Sequence, residues 1–169
     1  LYYYLEKKWL LPYRRTPTIT VSKSTKDDLE SLGFKKIFIV PEGISAKPLS
    51  KLPQKESNPT LVFLGRLKKY KLPNHALEAF AIIKEHVSGA RLWVIGDGPM
   101  RQELSQKFND ENIIFYGHVD DQVKFELLAK AHLILVPSMR EGWGLVVTEA
   151  NAMGTPAIAY DVQGLRDSV

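Results

Sequence analysis

Two glutamates flank a glycine-rich stretch in the segment Glu141-Gly142-Trp143-Gly144-Leu145-Val146-Val147-Thr148-Glu149. The glycines lead into a predicted helix that ends near Met153. The start of a helix presents unpaired backbone N–H groups and a partial positive charge, so a glycine-lined start can hold phosphate closely. Carboxylates do not bind phosphate, so we expect Glu141 on the loop and Glu149 inside the helix to accept hydrogen bonds from ligand hydroxyls. The alternative is that both glutamates only favour the start of the helix electrostatically.

Two cations follow a short apolar run. Arg66 comes directly after Gly65, and Lys71 lies further along the same loop. Arginine offers a planar fork of donors and lysine a compact charge, which together can neutralise a diphosphate when it binds and when it leaves. The alternative is a solvated loop of surface cations, since Lys68 and Lys69 lie between them. One ligand with phosphates in the middle and hydroxyls at both ends is a nucleoside diphosphate sugar, which is our prediction.

Short apolar runs alternate with segments of helical spacing from residue 61 onward. The predicted strands are 61–64, 92–95, 113–116, 133–136 and 157–160. Strands that are apolar on both faces and alternate with helices predict a Rossmann-like α/β fold, a parallel sheet with helices on both faces. Ligands bind outside the carboxyl ends of such strands, so the loops after the strands are the candidate site.

The first part of the chain has a different pattern. Aromatic residues and cations in residues 1–15 predict a helix whose aromatic side packs on a neighbouring structure. A membrane-surface or partner-docking helix is the alternative. The next elements are a predicted strand at 18–21, a helix whose start is marked by Ser24 and Thr25, and a strand at 37–40.

The motifs, taken in order, resemble the retaining glycosyltransferases of family 4. They are Gly65-Arg66-Leu67 with Lys71, Val94 to Pro99, Phe115 to Val119, Val136-Pro137-Ser138, Glu141 to Ala150, and Gly154-Thr155-Pro156. The seven residues between Glu141 and Glu149 are the signature of that family. The resemblance implies the C-terminal half of a two-domain GT-B enzyme. It makes residues 1–22 a remnant of the N-terminal acceptor domain and crossover, and 23–169 a nucleotide-sugar-binding domain truncated at its C-terminal end.

The resemblance also implies a role for each residue of the site. Arg66 and Lys71 hold the pyrophosphate and stabilise the leaving group, while Glu141 binds the donor sugar; these three are the predicted catalytic residues. Glu149 takes the ribose hydroxyls. The other predicted donor-binding residues are Gly65, Asp97, Gly98, His118, Val119, Lys124, Gly142, Trp143, Gly144 and Leu145. One departure is Leu72-Pro73, where the family usually has glycine after the lysine, and this leaves the shape of the loop open.

Composition limits the other possibilities. The 169 residues are 44% hydrophobic and 25% charged, as expected for one globular domain. The chain has no cysteine, which excludes disulfides and fits a reducing cytoplasm, and its net charge of +4 is too small to indicate a nucleic-acid partner. It has no Asp-x-Asp triplet, and its four histidines share no ligand spacing. We therefore predict no metal and no cofactor besides the donor substrate.

The predicted function is retaining hexosyl transfer from a nucleotide sugar to an acceptor glycan, lipid or small molecule held by the N-terminal domain, with the fragment inactive alone. The predicted location is cytoplasmic, with peripheral attachment to the inner face of a membrane as an open alternative. A non-catalytic nucleotide-sugar-binding module is the main rival, and a sugar-nucleotide epimerase is another. A dinucleotide oxidoreductase would need Gly-x-Gly-x-x-Gly after the strand at 61–64, which Gly65-Arg66-Leu67 does not supply. The donor sugar, the base and the acceptor stay undetermined.

Overall fold

The computed structural model describes residues 8–47, 49–51 and 53–169. Within them the strands are β1 Thr18–Thr20, β2 Ile37–Ile39, β3 Thr60–Leu64, β4 Arg91–Ile95, β5 Ile113–Gly117, β6 Leu133–Val136 and β7 Ala157–Ala159. The helices are α1 Lys23–Ser31, α2 Pro73–His86, α3 Arg101–Lys107, α4 Asp121–Lys130, α5 Leu145–Ala152 and the single turn α6 Leu165–Ser168. Short 3₁₀ turns occupy Leu11–Tyr13 and Lys69–Lys71.

Five parallel strands form the central sheet, in the order β5-β4-β3-β6-β7. Val62 on β3 aligns with Trp93 on one side and Ile134 on the other. The strand order reverses beside β3, which creates the crevice where ligands bind in sheets of this type. The predicted Rossmann-like sheet is confirmed. Burial on both faces holds for β3, β4 and β6, whereas the edge strands carry exposed residues such as Ile114 and Ile158.

The helices cover both faces of this sheet. On one face Leu77 and Phe80 of α2 pack with Leu104 of α3. On the other face Leu128 of α4 packs with Val147 of α5. All five side chains are essentially inaccessible to water, and each such burial contributes roughly 1.5–3 kcal/mol. The two apolar layers fix where α5 begins relative to the ends of β3, β4 and β6.

A smaller unit, β1-α1-β2, precedes the sheet and contains two parallel strands in which Ile19 aligns with Phe38. Helix α1 begins after Ser22, whose Oγ accepts a hydrogen bond from Thr25 N at 3.2 Å. The helix start predicted at Ser24 and Thr25 is thus two residues too late. The reason is tertiary, since Ser24 Oγ donates instead to Asp167 at 2.5 Å.

The predicted helix at 1–15 is only partly covered by the described residues, because 1–7 lie outside them. Residues 8–10 are helical and the 3₁₀ turn Leu11–Tyr13 follows. Of the helices in the described part of the chain, none has both the length and the apolar character needed to cross a membrane.

Candidate functional site

The site is organised around the N-terminal tip of α5. Gly144 takes the left-handed conformation there, with φ 88° and ψ 53°, and a Cβ at this position would lie 2.6 Å from Leu165 Cδ2. A Cβ on Gly142 would meet nothing within 4 Å. Gly144 is therefore required by the turn, whereas Gly142 faces open space. A hollow of about 280 Å³ lies in front of the tip, lined by Glu42, Lys71 and residues 141–146.

The loops after β3 and β4 interlock beside this tip. Gly65 N donates to Ile95 O, and Leu67 N donates to Asp97 O, both at 2.9 Å. Gly96 has φ 126°, and a Cβ on it would lie 2.1 Å from Gly65 O, so no larger residue fits. This contact places Arg66 directly beside the loop that carries Asp97.

Tyr70 connects the two predicted cations and was missed from the sequence. Arg66 Nη2 donates to Tyr70 Oη at 2.8 Å, and Lys71 Nζ lies 5.4 Å from the centre of the Tyr70 ring. The carbonyl oxygen of Tyr70 accepts from Met139 N at 2.9 Å, which ties this turn to the loop before Glu141. Its place in the sequence between two cations was the signal that could have identified it.

The turn after Lys71 resolves the departure noted at Leu72-Pro73. Leu72 adopts φ 49° and ψ 50°, the left-handed conformation that glycine adopts without strain. The backbone therefore turns as a glycine would allow, at a cost of about 1–2 kcal/mol for a residue with a side chain. Helix α2 then starts at Pro73, and Lys71 reaches the hollow in front of α5.

Lys71 and Glu141 form an ion pair across this hollow, from Lys71 Nζ to Glu141 Oε1. Their side chains are only 16% and 13% exposed. From the sequence we expected each of them to reach for a ligand. The structure brings them together, and each is the other's partner.

A second ion pair links Lys124 on α4 to Glu149 on α5, with 2.7 Å between Lys124 Nζ and Glu149 Oε1. Asp121, which the sequence reasoning missed despite its i,i+3 spacing from Lys124, also lies 2.9 Å from the ammonium. Burial opposes the charge on Lys124, but the hydrogen bonds that its ammonium donates to Glu149 and Asp121 outweigh this effect and raise the pKa of Lys124 above its ordinary value. The Lys124 ammonium is therefore charged at neutral pH.

A second hollow, of about 410 Å³, lies behind these groups. Its lining includes Gly65, Arg66, Gly96, Asp97, His118, Val119, Asp121, Lys124 and Glu149. Val146 borders both hollows, so the two are adjacent along α5. Arg66 and Glu149 thus open onto one shared space.

Asp97 forms the outer wall of the second hollow. Its carboxylate accepts from Gly98 N at 2.7 Å and from Arg101 Nη1 at 3.0 Å. The backbone N–H of Gly98, followed by Arg101, lowers the pKa of Asp97, so the wall is anionic at neutral pH. Gly98 itself lines neither hollow; it lies against the backbone of Leu67, where a Cβ would come within 2.6 Å of the carbonyl oxygen.

Trp143 and Leu145, which the sequence predicts to bind the donor, line the hollow at the helix tip. The Trp143 indole N–H donates to Thr148 Oγ1 at 3.0 Å, which fixes the ring against the first turn of α5. The ring is half-buried and borders the space that also contains Lys71. In this orientation the Trp143 ring both packs against α5 and shields the hollow from water.

The loop that carries Glu141 rests on the segment after β7. Glu141 N donates to Gln163 O at 3.3 Å, and a Cβ on Gly164 would lie 2.2 Å from Glu141 O. Gln163 is in turn held by Asp28 of α1, which accepts from Gln163 Nε2 at 2.7 Å. None of these supporting residues was predicted individually, although the loop that contains Gln163 and Gly164 was among those expected at the sheet edge.

In the described part of the chain, no group of three or more His, Cys, Asp or Glu side chains could hold a metal ion. Two of the cations of the site, Lys71 and Lys124, are paired with the carboxylates of Glu141 and Glu149.

Sequence comparison identifies the family. The family model "Glycosyl transferases group 1" matches residues 47–169, and the chain belongs to this family. A curated relative, glycogen synthase of Mycobacterium tuberculosis (strain CDC 1551 / Oshkosh), is 29% identical over 160 residues, which are 89% of this chain and 39% of the relative. Phosphatidyl-myo-inositol mannosyltransferase of Mycobacterium leprae is 33% identical over 145 residues, 82% of this chain and 38% of the relative. The chain spans well under half the length of these relatives.

Solved structures show the same fold. Sucrose-phosphate synthase from Thermosynechococcus elongatus superposes with a TM-score of 0.77 and 25% identity, covering 96% of this chain and 44% of that protein. The pneumococcal O-GlcNAc transferase GtfA, solved with UDP and GlcNAc, gives a TM-score of 0.74 at 22% identity, covering 86% of this chain and 30% of that protein. The predicted fold class, a Rossmann-like half of a GT-B glycosyltransferase, is confirmed.

Proposed function

We propose that this chain binds a nucleoside diphosphate sugar and is the donor-binding part of a retaining hexosyltransferase of family 4. The observation that carries the proposal is the arrangement along α5. Arg66 and Glu149 line one hollow, and Lys71 and Glu141 meet in the adjacent hollow at the glycine-lined tip of the same helix. The order along α5, from Glu149 through Arg66 and Lys71 to Glu141, matches the order nucleoside, diphosphate and sugar in a nucleotide sugar.

The diphosphate is assigned to the junction of the two hollows. Backbone N–H groups from Gly142 to Leu145 and the positive end of α5 attract its negative charge. Arg66 adds a fork of donors and Lys71 a compact charge, so the charge that develops on the leaving diphosphate is neutralised. No metal ion or cofactor is required for this step in our proposal.

The nucleoside is assigned to the larger hollow. Only one oxygen of Glu149 is bonded to Lys124, so its carboxylate retains capacity to accept ribose hydroxyls. The base then lies against the loops with Asp97, His118 and Val119. Among solved neighbours, one carries UDP and GlcNAc and another UDP and glucose, and one curated relative is named as GDP-mannose-dependent. These names support a nucleotide-sugar donor without selecting the base.

Transfer with retention is proposed to use the leaving diphosphate to deprotonate an acceptor that approaches from the same face as the departing group. This chain contributes the donor site and Glu141, which orients the sugar. The acceptor glycan, lipid or small molecule is assigned to an N-terminal domain, with residues 1–22 as a remnant of that domain and the crossover, and 23–169 as the donor domain. We assign the enzyme to the cytoplasm, and leave open peripheral attachment to a membrane.

A non-catalytic nucleotide-sugar-binding module is the second candidate. It shares the binding site and differs only in lacking transfer. The presence of Arg66 and Glu149 in one hollow and of Glu141 in the adjacent hollow favours the enzyme, because a module that only binds has no need to stabilise a leaving diphosphate.

Titration calorimetry of the 169-residue chain with UDP-glucose, UDP-GlcNAc and GDP-mannose tests the donor site. We expect binding of at least one donor, and a loss of about ten- to hundredfold for Arg66→Ala and for Glu149→Ala, the range for hydrogen bonds to charged groups. Lys69→Ala and Glu126→Ala, which remove exposed charges outside both hollows, are matched controls with unchanged affinity. Equal affinity of Arg66→Ala, Glu149→Ala and wild type would contradict the assignment, and loss of binding on adding EDTA would reveal a metal.

A further inference from the structure

The ion pair between Lys71 and Glu141 has a consequence for which ligands the site accepts. Both side chains are largely buried in the hollow at the tip of α5. A diphosphate at this tip needs the Lys71 ammonium, yet the Glu141 carboxylate already holds it. The Lys71 ammonium has three N–H donors but a single positive charge, so the carboxylate and an incoming phosphate compete for that charge.

A nucleotide sugar and a bare nucleoside diphosphate respond differently to this competition. When a diphosphate draws on Lys71, the Glu141 carboxylate is less well neutralised inside a partly buried hollow, and a poorly compensated charge there is costly. Sugar hydroxyls beside the diphosphate donate hydrogen bonds that compensate this charge. A bare nucleoside diphosphate brings no such hydroxyls and leaves Glu141 repelled by the negative phosphate.

We propose that Glu141 is a specificity-determining residue that makes the site prefer sugar-bearing diphosphates over the bare nucleoside diphosphate. This inference rests on the proposed function and goes further, because Glu141 acts by competing for Lys71 as well as by binding the sugar. The preference has a use in the reaction: the nucleoside diphosphate is what remains after transfer, and its expulsion is favoured once the sugar hydroxyls have gone.

Glu149 lacks this property and serves as the internal comparison. Its partner Lys124 is also bonded to Asp121, and the ribose that Glu149 binds is present in both kinds of ligand. Changing Glu149 should therefore lower the affinity for both ligands equally, whereas changing Glu141 should shift the two affinities in opposite directions.

The test is titration calorimetry of the 169-residue chain with two matched pairs, UDP against UDP-glucose and GDP against GDP-mannose. In Glu141→Gln, which keeps the size of the side chain and removes its charge, we expect the bare diphosphate to bind about tenfold more tightly and the sugar form about tenfold more weakly. Inorganic pyrophosphate should follow the bare diphosphate, because its gain depends only on Lys71. In Glu149→Gln the ratio of the two affinities should stay as in wild type.

Two further variants show whether the effect acts through Lys71. In Lys71→Met, the additional change Glu141→Gln should strengthen UDP binding less than it does when Lys71 is present, since only the repulsion between carboxylate and phosphate is then removed. Glu141→Asp keeps the charge and should still disfavour bare UDP, which separates loss of charge from damage to the loop.

The outcomes separate the two proposals. If wild type binds its donor in an Arg66-dependent way but Glu141→Gln weakens or does not change UDP binding, the competition is refuted and the donor site stands. If wild type binds neither UDP nor GDP nor their sugar forms, both proposals fail.

Discussion

The close approach of Gly164 to the Glu141 loop leads to a specific prediction about the sugar end of the site, the part around Glu141 that is proposed to bind the donor sugar. Gly164 has φ 81°, and a Cβ there would lie 2.2 Å from Glu141 O and 2.6 Å from Glu141 C. Because both contacts are with backbone, Gly164→Ala can be accommodated only if the loop moves by about 1 Å, a displacement that can cost up to about 100-fold at a reacting group. The left-handed φ adds about 1–2 kcal/mol of strain to the folded state.

The expected result is a selective loss. Gly164→Ala should weaken binding of UDP-glucose or GDP-mannose at least about tenfold, since the displaced Glu141 loses a charge-assisted hydrogen bond to the sugar. Binding of the bare diphosphate should weaken less, because Arg66 and Lys71 lie in the segment after β3 and are not among the nearest contacts of Gly164. Titration calorimetry gives both affinities, and thermal unfolding gives the loss of stability.

Gly89→Ala is the matched control. Gly89 also has a left-handed φ, 72°, but a Cβ there would meet only the Asn58 side chain, at 3.4 Å. It lies in the turn between α2 and β4 and lines neither hollow. Gly89→Ala should therefore lose stability from backbone strain at a positive φ while donor affinity stays at the wild-type value. If Gly164→Ala binds donors as tightly as Gly89→Ala does, the Glu141 loop is not supported by Gly164 and the reasoning is wrong.

Three further variants probe other contacts of the site. Leu72→Gly should keep donor affinity within about twofold of wild type by calorimetry, because glycine adopts the same left-handed turn with less strain; a large loss would show that the Leu72 side chain shapes the loop. Tyr70→Phe should weaken the donor about three- to tenfold, since Arg66 loses the hydroxyl that orients it, and unchanged affinity would show that Arg66 orients without it. Lys124→Met should unfold more easily than wild type at neutral pH. The pKa of Lys124 is raised in the folded state, so the stabilisation by its charge is present below the ordinary value of 10.5 and disappears above the folded-state pKa. The difference in unfolding free energy between variant and wild type, measured by urea titration, should therefore vanish in strong alkali. A difference that does not depend on pH would exclude the ion pair with Glu149 as its cause.

The sheet and its loops could be predicted because their signals are local. The apolar run predicted at 61–64 corresponds to β3 Thr60–Leu64, and the run at 133–136 matches β6 Leu133–Val136. Each strand is recognisable from its own residues, and parallel strands bring their carboxyl ends to one edge wherever the helices lie. This is why residues as distant in sequence as Arg66 and Glu149 could be assigned to one site.

The pairings within the site could not be predicted, because they depend on contacts between segments far apart in the chain. Nothing near Lys71 indicates that Glu141 is its partner, and nothing near Asp28 indicates Gln163. The start of α1 shows the same limit. Ser22, Ser24 and Thr25 all have side chains that can cap a helix, and the contact between Ser24 and Asp167 decides which of them does so.

The different supports of the two glutamates explain why the ends of the ligand should respond independently to mutation. Glu149 lies within α5, whose buried face is fixed by Val147 and Ala150, so its position is as rigid as the core. Glu141 lies on a loop whose position depends on Gly164 and, through Gln163, on helix α1. Any displacement of α1 would therefore reach the sugar end of the site before the nucleoside end. Because the competition for Lys71 also acts at Glu141, the sugar end is where both specificity and sensitivity to the rest of the protein are expected.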